Sequence, residues 1–259
     1  MTFEQEIYPR IVFSNNPLKV VVAQIKFPAM FGLTEPAALA AFQAALGHRY
    51  PNALPRIPNV TLTIGPAGTA ETATDAGPVR LANDDGTWVV SISNDAIALE
   101  TKTYESWIGF RERLEELVAA IPEGLRPHRA TRIGLRYVDQ IQVPNVATPA
   151  DWRAYITPGL LGGTDSLVFD ERLIQGLQQL SFEIDDSAIN VRHGYIRNPP
   201  DADFPSTYVI DTDLCTEAEQ AFDWAAILER INRYHDLAWN IFRRSITSAA
   251  VELLGGTEE

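Results

Sequence analysis

The amino-acid sequence predicts an α+β protein whose halves, residues 1–129 and 130–259, form one intimately packed unit. Three observations carry that expectation. Runs with period-2 alternation are interleaved with stretches of helical apolar spacing, in the order β-α-β-β-β-β-α, and the same order then begins again. Two long helical patterns close the halves, one starting near Trp107 and the other near Phe222. Short peptides of the first half also recur in the second, in the same relative order.

Residues 18–27, LKVVVAQIKF, follow the turn-like SNNP. Their apolar run is too long for a one-sided strand, so a place inside a sheet is expected. TEPAALAAFQAALGHRYP (34–51) reads as a helix with Thr34 as N-cap, Pro36 in the first turn and Pro51 as a stop. NVTLTIG (59–65) alternates like a strand, whereas PAGTAETATDAG (66–77) is small, polar and unpatterned and reads as a loop. VRLAN and TWVVSIS form a hairpin across Asp84-Asp85-Gly86, and AIALETKTY (96–104) adds a strand. Apolar residues then recur at helical spacing from Trp107 to Ile121, where Pro122 and Gly124 end the pattern.

In the second half TRIGLRYVDQIQV (131–143) reads as a strand, PADWRAYI (149–156) as a short helix and PGLLGGTDS (158–166) as a Gly-rich connection. LIQGLQQLSFEID (173–185), SAINVRHGYIR (187–197) and STYVIDTDL (206–214) are successive strands, with Asp185-Asp186 at a turn. One long amphipathic helix is expected from Phe222 to Leu253, closed by Gly255-Gly256.

The recurrences are specific in place. Ile25-Lys26-Phe27 returns as Leu135-Arg136-Tyr137, Thr87-Trp88-Val89-Val90 as Thr207-Tyr208-Val209-Ile210, and Trp107, Glu112, Arg113 and Leu114 as Trp224, Glu229, Arg230 and Ile231. A tandem, pseudo-symmetric pair of halves predicts a curved antiparallel sheet with the long helices on one face. This element order resembles that of TATA-box-binding-protein-like folds. The resemblance covers the order of elements only and implies no activity.

Charge argues against the nucleic-acid role that such a sheet suggests. The chain has 21 Lys and Arg against 34 Asp and Glu, a formal net charge of −13, and affinity for phosphate comes largely from basic residues displacing counterions. Charge is nonetheless segregated: residues 126–138 hold four arginines and no acid, and residues 198–229 hold eight acids and no Lys or Arg. A hydrophobic fraction of 46% with no run long enough to span a bilayer predicts a soluble protein. The start, MTFEQEIYPR, lacks the basic and apolar regions of a signal peptide, and a single cysteine excludes an internal disulfide framework, so a cytoplasmic location is expected.

Arginines in the middle of an apolar strand are the most informative local feature. Alternation puts Arg132, Gly134 and Arg136 on one face of the 131–143 strand, and Ile133, Leu135 and Tyr137 on the other. The aliphatic face suits packing under helices, and the arginine face suits ion pairs across the sheet, with Glu183, Asp185 and Arg192 in neighbouring alternating runs. The same arginines also suit recognition of a carboxylate or phosphate. In VRHGYIR, Arg192, His193, Tyr195 and Arg197 lie close together, with His193, Tyr195 and Arg197 expected on one strand face. Arg132, Arg136, Arg192, His193, Tyr195 and Arg197 are therefore the candidate ligand- or partner-binding residues.

NNPLKVVVAQIKFP, YESWIGF, RIGLRYVDQI and RYHDLAWNIFRRSIT together resemble a sporadically distributed family of uncharacterised bacterial proteins of this length. RIGLRY is the most specific of these segments, and the likeness extends over nearly the whole chain. It implies a self-contained bacterial cytoplasmic protein and assigns no catalytic residue.

Residue chemistry points the same way. Cys215 lies among carboxylates in DTDLCTEAE, a setting that raises a thiol pKa, and reads as structural. His48, His128, His193 and His235 show neither HExxH nor HxH spacing, so no metal ligands are assigned; His235 reads as an interhelical hydrogen-bonding residue. GLLGGTDS lacks the spacings of phosphate-binding loops, and no cofactor fingerprint occurs. The expectation is a non-catalytic binding protein whose partner is another protein, basic by complementarity to the acidic stretch. A small anionic ligand held between sheet and helices by Arg136, Arg192 and Tyr195 is the alternative, and an enzyme of unrecognised chemistry the third. A homodimer through the aromatic-rich C-terminal helix (Trp224, Tyr234, Trp239, Phe242) also fits.

Overall fold

The structure, a computed structural model, describes residues 8–56, 59–65, 68–75, 77–162 and 172–258. The N-terminal MTFEQEI and the GTDS end of the Gly-rich connection, residues 163–166, lie outside them. In chain order the elements are β1 (Ile11–Phe13), β2 (Leu18–Lys26), α1 (Pro36–Leu46), β3 (Asn52–Leu54), β4 (Asn59–Gly65), β5 (Gly68–Asp75), β6 (Val79–Ala82), β7 (Trp88–Ile92), β8 (Ala96–Thr101), α2 (Trp107–Ala119), β9 (Arg129–Ala130) and β10 (Arg132–Gln142). They continue with α3 (Pro158–Leu161), β11 (Gln175–Ile184), β12 (Ser187–Arg197), β13 (Ser206–Thr216), β14 (Gln220–Ala221), α4 (Trp224–Ser245), α5 (Ser248–Leu253) and β15 (Gly256–Glu258). The class is α+β. A nine-stranded sheet runs in the order β11-β12-β13-β10-β2-β8-β7-β6-β3, and its hairpins pair antiparallel. Among the described residues no helix is long and apolar enough to cross a membrane.

Packing divides the chain into two compact units: Met1–Val21 with Gly134–Glu217 and Asp223–Glu259, and Val22–Ile133 with Ala218–Phe222. In the unit built on Val22–Ile133, the meander β6-β7-β8 turns one face inward through Leu81, Val90, Ile92, Ile97 and Leu99, all 1% exposed or less. Helix α2 lies against β8 and buries Phe110, Leu114 and Leu117, the stripe its spacing predicts. Burying each such side chain stabilises by about 1.5–3 kcal/mol. Ser106 caps the helix by accepting from the Gly109 amide at 3.2 Å. The hairpin forms where Asp84-Asp85-Gly86 predicts it. Gly86 takes φ +70°, and Asp85 accepts from both the Thr87 amide and its hydroxyl.

The unit built on Gly134–Glu217 has longer strands. β11-β12-β13 is an antiparallel meander, and α4 packs on β13. Asp223 caps α4 by accepting from the Ala226 amide, and Ile227, Ile231, Tyr234 and Ile241 are buried along its length. The connection after β10 is pinned from within: the Trp152 indole N–H donates to Ser206 Oγ (3.1 Å), whose hydroxyl donates to the Val146 carbonyl (2.6 Å). The C-terminal helix rings pack inside this unit, Trp239 lying 6.3 Å from Phe13 and 6.3 Å from Phe242 while donating to the Tyr8 carbonyl.

Several sequence expectations need correction. Residues 68–75 are strand β5 paired with β4, although 66–77 reads as a loop; β-branched Thr69, Thr72 and Thr74 accept strand geometry without an apolar pattern to announce it. Thr34 closes a short 3₁₀ turn (Phe31–Thr34) and donates to the Phe31 carbonyl, and α1 begins after Glu35 with no side-chain cap. Residues Pro149–Ala154 form a 3₁₀ turn with a Thr148/Asp151 capping box. The long C-terminal helix is two: Thr157 donates its hydroxyl to the Arg244 carbonyl (2.6 Å) and its amide to that of Ser245 (3.0 Å). The chain therefore stops at Ser245 and restarts with Thr247 as N-cap. No proline or glycine marks that break.

Candidate binding groove on the exposed sheet face

The β11-β12-β13 register sets one cross-strand row as Gln179, Arg192 and Asp211, and the next as Ser181, Asn190 and Asp213. β10 brings Arg136 to the same face, exposed between buried Leu135 and Tyr137. Arg136 donates from Nε and Nη2 to the two oxygens of Asp211, each at 2.7 Å. Asp211 is buried, 7% exposed, and such a bidentate pair is the geometry that repays the desolvation of a carboxylate. The Asp211 hydrogen bonds also hold the Arg136 guanidinium above its ordinary pKa.

Arg192 is held more loosely. Its Nη1 stands 3.5 Å from Asp211 Oδ2, its Nη2 reaches Gln179 Oε1 at 3.5 Å, and 53% of its side chain is exposed. Arg136, Gln179, Asn190, Arg192, Asp211 and Asp213 line an open groove of about 270 Å³. With two arginines and two aspartates, its formal charges balance.

The opposite face is closed and structural. His193 is 1% exposed, and its Nδ1 lies 3.0 Å from the Tyr208 hydroxyl, which itself donates to the Leu160 carbonyl at 3.1 Å. The phenol proton is thereby committed, so His193 carries its proton on Nδ1 and donates. Burial pushes the His193 pKa down and the Tyr208 pKa up. Tyr195 is buried beside them and donates to the Ala147 carbonyl at 2.8 Å.

The sequence-predicted residues thus separate. Arg136 and Arg192 converge, whereas His193 and Tyr195 lie on the other face of the same sheet and Arg197 is exposed at the end of β12. Arg132 belongs to the other unit and donates to Gln24 Oε1 at 2.9 Å. His235, read as interhelical, has a strand partner: its Nδ1 lies 2.8 Å from the Tyr137 hydroxyl of β10. Burial, with Arg10 adding, pushes its pKa down to about 3.

Sequence reasoning missed Asp211 as the centre of the site. The acidic partner comes from β13, not from the expected Glu183 or Asp185, and Asp185 pairs instead with Arg233 on α4. The signal was present in TYVIDTDLC, whose alternation puts Asp211 and Asp213 on one strand face. Asp139, on the covered face of β10, was missed as well. Burial pushes its carboxyl up to about 8, with the charge of Asp211 adding and that of Lys19 opposing.

Among the described residues no group of three or more His, Cys, Asp and Glu side chains is arranged to hold a metal ion. No protein-family model and no curated protein matches the sequence.

Proposed function

We propose that the protein is a non-catalytic binding module of the bacterial cytoplasm that engages a protein partner through the Arg136–Asp211–Arg192 row. The observation that carries this is a division of roles: Asp211 and Arg136 fix one another, and Arg192 is left at 3.5 Å from the same carboxylate with half its side chain in water. A partner carboxylate takes the outer edge of Arg192 bidentately, and Asp213 receives a cation or amide of the same segment. Balanced charge in the groove favours a segment presenting both signs over a bare anion. A small anionic ligand is further disfavoured because Tyr195 cannot join the two arginines from the opposite face. The overall charge of −13 steers a basic partner toward the protein from a distance.

We infer the same duplication for the architecture, in the tandem element order of TATA-box-binding-protein-like folds. Its support is that α2 and α4 both start at a tryptophan behind a side-chain N-cap, and that each packs on the last strand of its own meander.

The test is capture from a cell extract at low salt by the tagged protein, its Arg192→Glu variant and a control, Lys102→Glu, at an exposed lysine outside the groove. A partner retained by the wild type and the control but reduced about tenfold by Arg192→Glu, at unchanged melting temperature, is expected. Equal retention by all three sinks the reading.

A further inference from the structure

Beyond the groove, the strand that borders it stands at one end of the nine-stranded sheet. Among the described residues β11 pairs with β12 along one side and has no strand on the other. An open edge of ten residues is a template for another chain unless it is guarded by lysine, proline or a bulge. β11 has none of these guards: QGLQQLSFEI contains no Pro and no Lys, and its ladder with β12 runs from Gln175 to Ile184 without a register shift. Residues 173–182 carry no charge at all in a chain of net charge −13. The edge is also where apolar surface collects. Ile174, Leu177 and Leu180, exposed by 68%, 41% and 48%, are three of the seven large apolar side chains that stand exposed among the described residues.

We propose that β11 pairs antiparallel with β11 of a second copy of this chain, about a two-fold axis through Leu180. The strand's own sequence selects this occupant, and charge selects the place. Two copies at −13 repel one another wherever their acidic surfaces meet, and an uncharged edge is where their backbones approach without opposed like charges. The strand is also complementary to itself about Leu180. In that register Leu180 faces Leu180 of the second copy, Gln178 faces its Phe182, and small Gly176 faces its bulky Ile184. Leu177 faces its Glu183, so the one charge of the strand never meets its like. Side chains keep their faces across the new ladder, so the Gln179–Arg192–Asp211 rows of the two copies lie on one continuous surface.

Sedimentation of the full chain over a range of concentrations, without ligand or partner, tests this independently of the groove. The wild type is expected to dimerise. Leu180→Lys sets two ammonium groups opposite each other at the axis and weakens the dimer roughly tenfold. Leu177→Lys meets Glu183 of the second copy and tightens it roughly twofold. Both sites are exposed, so folding is retained and is checked by thermal melting. Phe31→Lys, at an exposed apolar residue of the other unit, leaves the dimer unchanged. A wild type that stays monomeric at every concentration, or lysines at 177 and 180 that act alike, overturns the proposal.

Discussion

The two units share a scheme but not a polarity. Eleven polar or charged residues are buried among those described, and ten of them, Asp139, Asp211, His193 and Asn240 included, belong to the unit built on Gly134–Glu217; the other unit buries only Thr101. Each unit packs a long helix on the last strand of its meander, so the shared scheme needs none of those polar groups. Buried polar groups cost stability unless satisfied, so the unit that carries them depends on their hydrogen bonds in a way the other does not. The difference teaches where buried polar groups are concentrated: both units set a helix on the last strand of a meander, and one of them holds nearly all of those groups.

Glycine exchange gives the largest test of that contrast. Gly194, in β12, has φ +150°, and a Cβ there would stand 1.9 Å from the Gly176 carbonyl of β11. Backbone cannot yield as a side-chain end can, so Gly194→Ala is expected to cost about 3 kcal/mol or more. In the other unit Gly86 has φ +70° in open space, and Gly86→Ala should cost only about 1 kcal/mol. Chemical denaturation of both variants measures the ratio. Equal losses would mean that β11 adapts to β12 and that the polar sheet face is less rigid than its register implies.

Titration probes the polar unit next, since Asp139 and His235 both belong to it. Asp139 has a folded pKa of about 8 against an ordinary 3.8, so the folded state binds its proton more tightly; the stability this gives is full below pH 3.8 and is lost as pH rises toward 8. His235 has a folded pKa of about 3 against 6.5; its contribution is full above pH 6.5 and is lost as pH falls toward 3. The two slopes oppose each other between pH 3.8 and 6.5, and above 6.5 Asp139 acts alone. Wild-type stability should therefore decline by roughly 2 kcal/mol from pH 6.5 to 8, while that of Asp139→Asn should hold level there. A variant whose melting curve still falls over that interval would remove Asp139 as the cause.

How much of this was legible follows from what each feature depends on. Alternation in RIGLRYVDQIQ places Leu135 and Tyr137 inward and Arg136 outward, because strand facing is a local property. The helix start at Trp107 is similarly local, read from apolar spacing, and the C-terminal helix, expected from Phe222, starts two residues later at Trp224 behind the Asp223 cap. The pairing of Arg136 with Asp211 is not local: it depends on β13 lying beside β10, a choice of strand order that no spacing encodes. The break at Ser245 was illegible for the same reason, since Thr157 imposes it from outside the helix. The groove was thus half visible, its arginines by pattern and its carboxylate only by topology.

The smallest effect compares one helix position in the two units. Arg113 and Arg230 each stand six residues after the tryptophan that opens their helix. Arg113 lies over the Trp88 ring, 4.3 Å from its centroid, whereas Arg230 donates from Nη1 and Nη2 to the Asp186 carboxylate at 2.7 and 2.9 Å. The first contact is a partly desolvated cation on an aromatic face, and the second is an ion pair whose acid is 42% exposed. Alanine at either position should cost about 1 kcal/mol at low salt. Salt should then tell them apart, because screening erodes the exposed pair and leaves the packed cation nearly untouched. Acid should do so as well. Arg230 holds the Asp186 carboxyl below its ordinary range, so this contribution is present above pH 3.8 and is lost as pH falls through the depressed pKa. Thermal melts of Arg113→Ala and Arg230→Ala at low and high salt measure the difference; equal salt dependence would show that both arginines act through their aliphatic stems, and that at this position the two units differ in partner but not in physics.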